Sequence, residues 1–214
     1  MNAKKLIGTG LVVCVAGAAG AWGATSVMQP EGEHLGKKFV EQRMAEMGQD
    51  PMQAWMEAGT PGLAHEILAI SAGEWNAVNR VWMGPGAEPM ESPASATMEL
   101  IMDGRFIKTS YEGSIMGTPF TGMGLMGYDN TRKLFTSLWI DSMSTSMSTA
   151  YGSLDETGTV LTFVGTMDEP TTGEIGKSYK QVLRMIDEDH SVFEMWEILY
   201  GEPFKVMEIE YTRK

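Results

Sequence analysis

Cysteine and histidine are nearly missing from this chain of 214 residues, which has one of the first and three of the second. Cys14 lies inside an N-terminal apolar run, so a mature chain without that run has no thiol. Disulfides, thiolate metal centres and a cysteine nucleophile are thereby excluded, and the fold has to be held by its core. His34, His65 and His190 are far apart in sequence and read as surface histidines. They give a Ser-His-Asp arrangement or a three-histidine metal site little to draw on. Basic residues are scarce as well: 16 Lys and Arg stand against 28 Asp and Glu, a net charge of -12, with no basic cluster. That balance repels phosphate backbones and anionic head groups, and it argues against nucleic-acid binding.

The start of the chain reads as an export signal. Lys4 and Lys5 precede an uncharged run of apolar and small residues from Leu6 to Ala19. Small residues at Ala19, Ala21 and Gly23 put a cleavage site near Trp22 to Thr25, which sets the signal at residues 1–23. Cleavage takes the net charge from -12 to -14, because Lys4 and Lys5 leave with the signal. The alternative is a retained anchor, since Leu6 to Met28 is uncharged and long enough to cross a bilayer of roughly 30 Å. A periplasmic or secreted protein is expected, touching a membrane only through such an anchor. The remaining ~190 residues suit one domain with a sizeable core.

Residues 24–33 read as a linker and residues 34–72 as a helical segment. Phe39, Val40, Met44 and Met47 recur at helical spacing. Asp50-Pro51 and Thr60-Pro61 each set a capping residue before a proline, predicting short helices over Met52 to Ala58 and Gly62 to Ile70. From residue 73 onward, short β-branched, aromatic and methionine runs alternate with turn residues. They predict ten strands, near 74–83, 94–102, 105–112, 118–128, 133–142, 146–154, 160–167, 178–187, 192–200 and 205–212. Hairpin-like connections such as Asp103-Gly104 and Asp129-Asn130 make an antiparallel meander, which removes its edges by closing into an up-and-down barrel.

Several motifs fall in a recognisable order: Gly104-Arg105-Phe106, Met116-Gly117-Thr118-Pro119-Phe120, Gly122, Gly124, Gly127-Tyr128-Asp129-Asn130 and Trp139-Ile140-Asp141-Ser142-Met143. Together they resemble a bacterial family known as domain of unknown function 1579, over roughly Ala64 to Arg213. Gly73-Glu74-Trp75 and Tyr211-Thr212-Arg213 agree with it, whereas Asp103 stands where many members have a second glycine. The resemblance implies a lipocalin-like, or calycin-like, barrel and brings no catalytic residues with it. Related barrels hold haem through a late-strand histidine, which residues 205–214 lack.

Five residues are candidates for a binding site. Arg105 is in phase with Ile107, Thr109 and Tyr111; it is read either as a clamp for a ligand carboxylate or as an ion pair with Asp129, Asp141 or Glu194. Trp139 and Asp141 share a strand face and suit a pocket wall, although a packed tryptophan beside a strand-end aspartate is the blander reading. Tyr128 and Glu194 complete the set, and the Gly127–Asn130 run itself reads as turn chemistry. Methionine is abundant, with 19 residues; the pairs Met123/Met126 and Met143/Met147 read as adaptable core or pocket filling in preference to a copper site. Gly173 to Ser178 reads as a loop entering a strand, not a phosphate cradle. No cofactor or metal is called for. The leading expectation is an exported barrel holding a small apolar or amphipathic ligand, against a structural module with a side-chain-filled barrel and, third, an enzyme using Asp141, Glu194, Arg105 and Tyr128.

Overall fold

The computed structural model describes residues 31–48, 50–199 and 201–214. The expected signal and most of the expected linker lie outside these residues. Two units divide at residue 50. The first contains helix α1 (Glu31–Met47), which begins earlier than the linker expectation and leaves Phe39, Val40 and Met44 exposed.

The second unit begins with α2 (Pro51–Gly59) and α3 (Leu63–Ile70). Asp50 caps α2 as expected, its side chain accepting from the Met52 amide at 3.0 Å with Pro51 in the first turn. Thr60 does not open α3. It closes α2, donating from Oγ1 to the Met56 carbonyl at 2.6 Å, and Gly62 becomes the N-cap of α3. Gly62 has no side chain to cap with, so the His65 ring takes over: Nδ1 accepts from the Gly62 amide at 3.0 Å. His65 is also buried, against Tyr128, correcting its reading as a surface histidine.

Ten strands follow, β1 (Gly73–Val81), β2 (Met90–Ile101), β3 (Phe106–Ile115), β4 (Thr118–Asp129), β5 (Leu134–Asp141), β6 (Ser148–Leu154), β7 (Val160–Glu169), β8 (Glu174–Met185), β9 (His190–Leu199) and β10 (Glu202–Arg213). They form one closed antiparallel barrel in meander order, sealed where β1 pairs with β10 from Trp75↔Arg213 to Val81↔Met207. Period-2 alternation puts Trp75, Ala77 and Asn79 of β1 inside while Glu74, Asn76 and Val78 face out. Tyr111, Phe135, Phe163, Tyr179 and Tyr211 are buried on the same inner surface, so side chains fill much of the barrel.

Glycines on the inner surface make room for these rings. A Cβ at Gly152 would lie 2.7 Å from Phe163, and one at Gly165 would lie 2.7 Å from Tyr179. The turn after β4 is longer than the expected Asp129-Asn130 pair. It runs through Asn130 to Lys133, with Asp129 Oδ1 accepting from the Thr131 and Arg132 amides and Lys133 at φ 57°.

Candidate functional site

One end of the barrel is stoppered. α3 packs on β3 and β4, and Leu68 enters a core with Ile107, Phe135, Leu161, Phe163 and Tyr179. Tyr128 stands edge-on to both His65 (5.9 Å) and Phe135 (4.9 Å). Helix C-termini leave carbonyls without intrahelical donors, and three barrel side chains supply them. Arg105 Nε donates to Gly59 O at 2.9 Å, and Asn130 Nδ2 donates to Thr60 O at 2.8 Å and Ala58 O at 3.1 Å. Arg213 donates to Ala72 O at 2.8 Å and Ile70 O at 2.9 Å while lying 4.2 Å over the Trp75 ring. These contacts bind the helical stopper to the sheet, and a positive charge at a helix C-terminus adds a favourable dipole interaction.

The opposite end is built differently. Trp139 lies over Gly122 and Gly124, stacks on Phe120 at 6.4 Å and meets Tyr111 edge-on at 6.2 Å. Its Nε1 donates to Asp141 Oδ2 at 3.0 Å. Pro93, which has no N–H for a ladder, sits just beyond the last β2–β3 pair at Ser95↔Glu112. Past that point the two strands part. A cavity of about 380 Å³ occupies the gap, lined by the apolar Val81, Met90, Pro93 and Ile115 and by the polar Asn79, Glu91, Ser92 and Ser114. Ser92 Oγ spans it on one side, donating to Ser114 O at 2.8 Å.

Two polar atoms here lack partners. Asn79 is 4 % exposed and Tyr111 is 4 % exposed, yet neither Asn79 Oδ1 nor the Tyr111 hydroxyl has a hydrogen-bond partner. Buried polar groups are normally paired, and an orphan costs its desolvation. Burial also pushes the Tyr111 phenol up to about 12, and it holds those of Tyr179 and Tyr211 above their ordinary range.

On the far wall of the same end, Lys177 bridges Glu197 at 2.5 Å and Glu169 at 3.6 Å. Register places Lys177 and Glu197 inside, in phase with Tyr179 and Met195 respectively. The Glu197 carboxylate, against some desolvation, holds the Lys177 ammonium above its ordinary value. Glu169 is held below its own by Thr171 and then Lys177. Among the described residues, no group of three His, Cys, Asp or Glu side chains can hold a metal ion.

The model of the family described as "Protein of unknown function (DUF1579)" matches residues 60–213. The chain belongs to this family. No curated protein matches it. Its fold is similar to the crystal structure of Rv2717c from M. tuberculosis, at 15% identity and a TM-score of 0.52, covering 72% of this chain and 99% of that one. It is also similar to the S-type phycobiliprotein lyase CPES from Guillardia theta, at 11% identity and a TM-score of 0.49, covering 75% and 96%.

Within this DUF1579 barrel the five sequence candidates are distributed over three places. Trp139 and Asp141 stand together at the open end. Arg105 and Tyr128 lie at the stoppered end, where Arg105 pairs with Asp103 at 3.6 Å and none of the three expected carboxylates is its partner. Glu194 is on the outer face, held by Arg184 at 3.6 Å and Lys205 at 3.5 Å. One methionine pair separates: Met126 packs inward, while Met123, at the opposite parity of β4, faces outward; Met143 and Met147 are both exposed. Asn79 and Tyr111 were not among the candidates. The signal for Asn79 was present, a polar residue at the core-facing period of Trp75 and Ala77.

Proposed function

We propose that this protein is an exported, non-enzymatic member of the DUF1579 family that holds a small amphipathic molecule at the open end of its barrel. The observation carrying the reading is the cavity between β2 and β3, where Val81, Met90, Pro93 and Ile115 meet the polar side chains of Asn79, Glu91, Ser92 and Ser114. Its volume lies at the lower end of the range for small-molecule sites, and a lining of apolar and polar side chains together suits an amphipathic molecule. Chemistry among the nominated acid–base residues lacks geometric support: Asp141 and Arg105 occupy opposite ends of the barrel and Glu194 lies outside. Acid–base catalysis needs such groups within hydrogen-bond reach.

The filled interior favours a second reading, a structural or interaction module. Native mass spectrometry of the protein purified from its own host, followed by denaturing extraction, separates the two. A stoichiometric small molecule supports binding. An empty protein that no amphipath stabilises in thermal shift supports the module. N-terminal sequencing of the same material tests export, with a start near residues 22–25 expected.

A further inference from the structure

Among the apolar side chains lining the β2–β3 cavity, Met90 and Met116 are thioethers, beside Val81, Pro93 and Ile115. Glu91, the charged residue of the lining, is paired with Arg80 at 2.7 Å. Met90 opens β2 opposite Val81, and Met116 lies in the tight turn between β3 and β4. Both are open to solvent, Met116 at 69 % and Met90 at 38 % exposed. The turn does not itself call for a methionine: Met116 and Gly117 have φ of 53° and 78°, a geometry that Asn-Gly adopts at less cost. Met98, Met126 and Met195 are placed differently, packed against the buried core.

We infer that Met90 and Met116 form an oxidation site that sets the polarity of the cavity: a two-electron oxidant of the peroxide class converts them to sulfoxides, and the cavity then releases an apolar occupant. This rests on the binding reading proposed above. The thioether sulfur attacks one peroxide oxygen, so that an S–O bond forms and the O–O bond breaks. The departing oxygen takes up the proton of the transferred one and leaves as water; sulfur is oxidised by two electrons and the peroxide is reduced. Two thiols of a sulfoxide reductase reverse the change, becoming a disulfide while the oxygen leaves as water. A sulfoxide oxygen is a hydrogen-bond acceptor, and an apolar molecule laid against it removes its water without replacing the bond. The barrel itself is spared, because neither residue is among those packed on the buried core.

The test is Nile red fluorescence with the purified chain before and after hydrogen peroxide, the dye being neutral and without a hydrogen-bond donor. Peptide mass spectrometry on the same samples should find sulfoxide at Met116 and Met90 before Met98, Met126 and Met195. Oxidation is expected to raise the Kd of the dye roughly tenfold, the effect of one acceptor left unsatisfied, and sulfoxide reductase with dithiothreitol should restore it. Exposed methionines away from the lining, such as Met102 and Met147, are oxidised too, so the variants decide. Met90→Leu/Met116→Leu keeps the lining apolar at similar volume, and it should bind the dye before peroxide and keep it afterwards. Met90→Gln/Met116→Gln should bind it weakly without any oxidant. An equal loss of dye from wild type and the leucine variant after peroxide, or core methionines oxidised as fast as Met90 and Met116, overturns the inference while binding itself stands. If the untreated protein binds neither Nile red nor 1-dodecanol, the binding reading fails and takes this inference with it.

Discussion

Trp139 fills the space that a side chain at Gly122 would need: a Cβ there would lie 2.2 Å from its Cζ2 atom. Two positions along the same strand, a Cβ at Gly124 would meet Trp139 and Thr109 only at 3.4 Å. Gly122→Ala should therefore push the indole off Phe120 and Asp141 and cost ~1–3 kcal/mol, whereas Gly124→Ala should cost well under that. Urea denaturation followed by near-ultraviolet circular dichroism measures both. Equal costs would mean that the indole is not seated on Gly122.

Arg213 joins three segments, donating to carbonyls of Ile70, Ala72 and Glu188 while covering the Trp75 ring. Arg213→Ala is expected to cost about 2–3 kcal/mol, since the carbonyls at the end of α3 lose their donors. Arg213→Lys should recover little, because an ammonium cannot reproduce the planar fork. Hydrogen exchange over residues 63–72 gives the local readout, and unchanged protection there would dismiss the clamp.

Asp103 takes the left-handed conformation, with φ 54°, followed by Gly104 at φ 81°. Its side chain is almost wholly exposed and its ion pair with Arg105 spans 3.6 Å, so the carboxylate contributes little. Asp103→Gly should stabilise by about 0.5 kcal/mol after the added freedom of the unfolded chain is counted, and Asp103→Ala should destabilise. Thermal melts of the two variants would show this opposite pair of signs, and a shared sign would contradict the strained-turn account.

Alkaline pH should unfold the barrel through its buried phenols. Tyr111 ionises near 10 in the unfolded chain and at about 12 in the barrel. A raised folded-state pKa gives stability that is complete below pH 10 and lost as pH rises toward 12. Stability should decline over that window, and Tyr111→Phe should make the decline shallower. Urea midpoints at pH 9 and 11, compared between wild type and variant, decide it. An identical decline in both would rule out Tyr111 as a contributor.

The ten strands were legible because alternation and turn chemistry are local signals, and every predicted run overlaps an observed strand. The start of β2 was missed: it begins at Met90, because a strand paired on one side only can accommodate Pro93. The site was harder to read. Arg105 falls one residue before β3, so the phase that aligned it with Ile107 and Tyr111 ends before reaching it, and it turns to the carbonyls of Gly59 and Met102. The burial of His65 depends on α3 entering the barrel mouth, a tertiary event with no local signature in LAHEILAI. The cavity arises where two strands diverge, and divergence is a property of a pair of strands that no single segment records.

Sealing of the sheet by β1 and β10 has a consequence for how the chain is made. The first strand to emerge during synthesis waits for the last before its outer edge is covered. Until β10 arrives, a growing array of nine strands carries two unsatisfied edges and an exposed apolar surface, the condition in which chains associate wrongly. Such long-range closure is also slow, since its loop entropy is lost before its contacts form. A chaperone or an unfolded transport state is therefore suited to the interval between the ninth strand and the tenth.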